Sequence, residues 1–114
     1  MKNLTPHAIK VQAADGEMVT FEPSGIVARV DQEQVVVGTC PITGVTVKVD
    51  KTVGIVGVPA SGTERFLVSA MVLAELGPEY SGWAFAPGTG PKDGAIRNDK
   101  GFIEAVTCLK TVVK

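Results

Sequence analysis

The sequence predicts a mainly β fold: a small antiparallel sheet or barrel of about seven to nine strands, with one short helix near residues 69–76. Three observations carry this expectation. Valine, stiff at χ1 and favoured on pleated surfaces, is the commonest residue, at eighteen of 114. Short apolar runs alternate with polar residues instead of recurring at helical spacing. Thirteen Gly and seven Pro punctuate those runs where turns are needed.

The length suits a single domain, residues 1–114, since single cores usually run to about 100–150 residues. An apolar fraction of 45% with a formal net charge of −1 argues against disorder. Eleven Lys+Arg against twelve Asp+Glu leave no positive excess to displace counterions, so a nucleic-acid polymer is not an expected partner. No apolar run approaches the about 18 residues of a membrane span, and residues 1–7 hold no apolar signal-peptide segment. A cytoplasmic, non-membrane protein is expected.

The elements follow in order. Ala8 to Ala13 alternates around Ile9 and Val11, and Asp15-Gly16 supplies a turn into a second strand, Glu17 to Glu22. Pro23-Ser24-Gly25 turns into a third, on which Ile26, Ala28 and Val30 share one face. Asp31 to Gln34 reads as a polar connector. Val35 to Val37 and Val45 to Val49 flank Gly38 to Gly44 as a long hairpin, and Val53 to Val58 follows as a separate, bulged strand. Phe66-Leu67-Val68 reads as a buried strand, Ser69 as a helix N-cap, Ala70 to Leu76 as the helix, and Gly77-Pro78 as its stop. Asn98-Asp99-Lys100-Gly101 is a hairpin turn between Ala95–Arg97 and Phe102–Leu109.

Chemistry has few places to reside. One histidine, two distant cysteines and no C-x-x-C or H-x-x-x-H leave no metal-ligand pattern, and no cofactor is implied. No G-x-S-x-G elbow or Walker A loop occurs. The least ordinary stretch is Pro87 to Asp93. There Gly88, Thr89 and Gly90 allow a backbone nest for an anion, and Lys92 and the following Arg97 add charge. Arginine suits bidentate recognition of phosphate or carboxylate, and Arg29 stands among apolar strand neighbours. The N–H groups at the helix start beside Ser69, and the lone imidazole of His7, complete the anion-contacting candidates. Trp83, with Tyr80, either stacks on a base or closes a small core.

Taken together, Asn3-Leu4-Thr5-Pro6-His7-Ala8-Ile9, Pro23-Ser24-Gly25 with Ala28-Arg29-Val30, Phe66 to Ser69, and Ala86 to Gly90 leading into Arg97 to Gly101 resemble a group of small proteins opening "NLTPH". That group occurs in tailed phages, prophages and bacterial genomes, and has no established activity as a whole. The resemblance implies a phage setting, which includes virion accessories and counter-defence proteins that act as sponges for immune nucleotide signals. The leading expectation is a non-enzymatic, homo-oligomeric protein that sequesters a phosphate-bearing signal of the cyclic oligonucleotide or cyclic ADP-ribose type. Its ligand-binding residues would be His7, Arg29, Ser69, Trp83, Gly88, Thr89, Gly90, Lys92 and Arg97. The alternatives are a structural or virion-accessory interaction module, a direct protein inhibitor of a host defence, and a hydrolase using His7.

Overall fold

A computed structural model describes residues 1–113 of the chain. Its centre is a four-stranded sheet of very short strands: β1 (Lys2–Asn3), β6 (Phe66–Leu67), β7 (Ala84–Pro87) and β10 (Leu109–Thr111), in the order β1-β6-β7-β10. The remaining strands form three two-stranded ribbons. These are β2 (Ile9–Gln12) with β3 (Met18–Phe21), β4 (Arg29–Thr39) with β5 (Thr46–Val56), and β8 (Ile96–Arg97) with β9 (Ile103–Ala105). The mainly β expectation holds, with one short α-helix, α1 (Ala70–Glu75).

Two details differ from the sequence reading. There are ten strands among the described residues, and none of their sheets closes into a barrel. The central sheet is also mixed, because β1 and β6 pair parallel, as do β6 and β7, and only β10 runs antiparallel. Parallel neighbours are joined by long excursions, so no local turn signals them.

The core explains why β6 sits inside. Phe66, Leu67 and Val68 are fully buried, as a strand covered on both faces requires of a continuous apolar run. Leu4, Ala28, Val72, Leu76 and Ala84 pack with Phe66 and Val68, and the Tyr80 ring meets Phe66 edge-on at 6.0 Å. Helix α1 follows β6 directly. The Ser69 hydroxyl accepts from the Val72 N–H at 3.3 Å, satisfying one donor of the first turn, and Val72 enters the core. At the other end Leu76 is the C-cap and Gly77 has φ −76°, so the expected left-handed glycine stop is absent. A 3₁₀ turn, Pro78–Tyr80, ends the run instead.

The ribbons follow their turn chemistry. Gly16 takes φ +89° between β2 and β3, and Gly101 takes φ +83° between β8 and β9. In the second turn Asn98 Oδ1 accepts from the N–H groups of Lys100 and Phe102, as an Asx turn does. The expected third strand at Ile26–Val30 is displaced: Ile26 and Val27 are exposed and outside any strand, and β4 begins at Arg29.

The largest departure is the β4–β5 hairpin. Asp31 to Gln34, read as a connector, lie within β4, and Val53 to Val56 belong to β5 instead of a separate strand. Only its foot touches the core, through Val30 and Ile55. Its eleven-residue strands, at about 3.4 Å per residue, make the hairpin about 37 Å long, foot included. The radius of gyration is accordingly 17.2 Å, against the about 13 Å of a compact chain this long. The hairpin is an arm.

Candidate functional site

The N-terminal motif is a structural knot. Asn3 is buried, and its side chain makes four hydrogen bonds. Nδ2 donates to the carbonyls of His7 and Phe21, both at 2.8 Å, while Oδ1 accepts from the Thr5 N–H at 2.9 Å and the Thr5 hydroxyl at 2.6 Å. This uses the whole capacity of an amide, two donors and two lone pairs. His7 takes part through its backbone carbonyl, which lies 2.9 Å from the Thr5 hydroxyl oxygen as an alternative acceptor for its single proton, and the residue itself is exposed.

The Gly/Pro loop is closed on itself. The Gly90 N–H donates to Asp93 Oδ2 at 2.7 Å, and Lys110 Nζ lies 2.9 Å from the same oxygen. The hydrogen bond from Lys110, aided by the Gly90 N–H, holds the Asp93 carboxyl below its ordinary range, and the same contact raises Lys110. Of the nest expected of Gly88, Thr89 and Gly90, only the Gly90 N–H meets an anion, and that anion is internal, the Asp93 carboxylate. Gly88 is needed for a close approach: its N–H donates to the Cys108 carbonyl at 3.0 Å, and a Cβ there would run into Cys108 Sγ. Arg97 Nη1 donates to the Gly101 carbonyl at 2.9 Å and Nη2 makes a long contact to the Thr89 carbonyl, so Arg97 and Thr89 do meet. Thr89 and Lys92 are exposed on this loop.

The other candidates lie apart from it. Arg29 stands at the foot of the arm, its side chain 71% exposed and its Nε 3.4 Å from Asp31 Oδ1. Ser69 is occupied as the helix cap. Trp83 is half-buried, and the Arg65 guanidinium lies 4.7 Å from its ring centroid. Together with Lys2, whose Nζ is 3.4 Å from Glu64, these residues line a shallow open groove with Met1 and Thr63. Of the nine sequence candidates only Trp83 lines this groove, and none lines the second, apolar one between α1 and Lys110–Val113. Arg65 reaches Trp83 because β6 and β7 are parallel neighbours, and the parallel pairing of β1 with β6 brings Lys2 beside Arg65; neither pairing has a local sequence signal.

The arm is the most distinctive surface. The register places Val35 opposite Val49, so Val35, Val47 and Val49 share one face, while Val36 lies on the other face opposite Lys48. All are exposed, as are Val37, Val45 and Ile42 near the tip, Val36 to 61% and Ile42 to 91%. Both outer edges of this two-stranded ribbon carry unpaired backbone groups. At the tip, a hydrogen bond from the Thr43 hydroxyl, with backbone bonds at Thr43 and Ile42, holds the Cys40 thiol below its ordinary range. Cys40 and Cys108 are both free thiols.

Among the described residues no group of three metal-ligating side chains comes together, and no helix is long and apolar enough to cross a membrane. Comparison with protein-family models, curated proteins and solved structures finds no match to this chain.

Proposed function

We propose that this protein is a non-enzymatic assembly module that joins copies of itself through the β4–β5 arm. One observation carries the reading: an arm with two open edges bears exposed valines and extends away from a core that needs only its foot. Fully burying a valine is worth about 1.5 kcal/mol or more, so leaving this many exposed forgoes several kcal/mol that association recovers. Contiguous exposed apolar surface of this kind marks interaction sites. The phage setting implied by the Asn3 to Ile9 resemblance suits a virion accessory made in the host cytoplasm.

Sedimentation velocity tests the proposal. The full chain is expected to associate with rising concentration, while a variant with residues 32–52 replaced by a short turn stays monomeric and melts near the parent temperature. A full chain that remains monomeric up to millimolar concentration overturns it.

A second reading, sequestration of a nucleotide signal, is favoured by the Trp83 groove, where an aromatic ring and the cations Arg65 and Lys2 suit an anion bearing a base. Trp83 is the only tryptophan, so its fluorescence reports on that groove alone. Cyclic dinucleotides, cyclic trinucleotides and ADP-ribose derivatives at 100 times Kd would stabilise the fold by about 2.7 kcal/mol and perturb that fluorescence. No response to any of them removes this reading.

A further inference from the structure

We infer that two arms join edge to edge through β5, antiparallel about a two-fold axis at Val49, giving a closed four-stranded ribbon β4-β5-β5-β4. The inference rests on the assembly reading above and specifies its surface and register.

The regular part of β5 sets the length. The pairing with β4 is interrupted at Val53, the extra residue where Gly54 faces Asp31 but Thr52 faces Gln32. At the other end β5 begins at Thr46. The pairing shifts again between Lys48 and Val47, but there the extra residue, Val37, lies on β4; β5 itself carries no inserted residue over Thr46–Thr52, and Val49 is the centre of that run. A two-fold there places Thr46 opposite Thr52, Val47 opposite Lys51, and Lys48 opposite Asp50 of the second copy, each pair occurring twice.

Charge selects this register over its neighbours. Across the arm Lys51 already faces Glu33, whereas Lys48 faces Val36 and Asp50 faces Gln34. The two-fold at Val49 gives these two charges opposite-charge partners, and opposite charges directly across strands are stabilising. Shifting the axis to Lys48 sets lysine against lysine, and shifting it to Asp50 sets acid against acid. An antiparallel β4–β4 junction about Gln32 opposes Asp31 to Glu33, which disfavours that register, and the bulge at Val37 breaks the outer half of that edge.

The faces agree with this choice. Lys48 and Asp50 lie on one face of β5, and Val47 and Val49 on the other. Joining the ribbons aligns Val35 and Val49 of one copy with Val49 and Val35 of the other in a row of four. The outer edges are then both β4, where Asp31 and Glu33 and the bulge at Val37 discourage further strand addition. The assembly closes at two copies.

Charge exchange tests the register. In sedimentation velocity, Lys48→Asp and Asp50→Lys chains should each dimerise at least about tenfold more weakly than the parent. An equimolar mixture should restore dimerisation, because one chain then offers two acids and the other two lysines at the paired positions. Unchanged melting temperatures would confirm that these exposed positions leave the fold intact. Single variants that dimerise like the parent overturn the register, as does a mixture that fails to recover or a parent that forms species larger than a dimer. In each of those cases the assembly reading stands. A monomeric parent removes both.

Discussion

Replacing Asn3 with alanine is expected to be among the most destabilising changes in this protein, although Asn3 lies in a two-residue strand near the start of the chain. The substitution removes four hydrogen bonds from a side chain only 1% exposed. The Thr5 hydroxyl and the His7 carbonyl retain each other, but the Thr5 N–H and the Phe21 carbonyl lose the amide that bound them. An orphaned buried polar group costs about 1–3 kcal/mol, so two of them cost about 4 kcal/mol in all. Unfolding entropy near 2.1 cal/mol/K per residue converts this into a fall of about 15 °C in Tm. Differential scanning calorimetry reads it directly. Thr5→Val should destabilise less than additively in the Asn3→Ala background, because both act on one network. His7→Ala should stay within about 0.5 kcal/mol, since only its carbonyl is used. A fall below about 4 °C for Asn3→Ala, or an equal fall for His7→Ala, would refute the reasoning.

Three further outcomes are expected. Ser69→Ala removes a long capping bond, so it should cost about 0.5–1 kcal/mol, seen as a small drop in Tm with α1 retained. Asp93 titrates below its ordinary 3.8 in the folded chain, so its contacts stabilise fully above that value and are lost as pH falls through the lowered one. Melting curves from about pH 5 down to pH 2 should therefore lose stability more steeply for the parent than for Asp93→Asn. Cys40, half-buried at the arm tip and lowered by the Thr43 hydrogen bond, should alkylate before Cys108, which is also half-buried and packs against Gly88. Thr43→Val should slow Cys40 alone, as followed by mass spectrometry.

Legibility in the sequence tracks the range of the interaction. Ser69 before an apolar run and Asn98 to Gly101 between strands are local chemistry, and both are where they were expected. Gly77 does stand just past the cap as the helix stop, but with φ −76° and not a left-handed φ, because Leu76 already closes the helix with its own N–H to the Leu73 carbonyl. Asp31 to Gln34 resembled a connector because alternation arises only where one face is buried, and the arm buries neither beyond its foot. The parallel pairing of β1, β6 and β7 left no local trace, and so neither did the approach of Lys2 and Arg65 to Trp83. Asn3 and Thr5 stood out only as part of a resemblance; their side chains could not be seen to be a network until Phe21 was placed beside them. The Asp93 carboxylate in the Gly90 loop was equally hidden, because a loop built to hold an anion does not say whether the anion is foreign.

The central sheet also constrains how the chain is made. Its four strands are drawn from residues 2–3, 66–67, 84–87 and 109–111, so β1 waits on a partner far away in synthesis while β6–β7 and β7–β10 close over much shorter stretches. On a ribosome the three ribbons have their partners as soon as they emerge, yet the sheet they surround lacks its last strand until Thr111 is out. The arm, closed by its own turn, is thus presented to neighbouring nascent chains before the core behind it is complete.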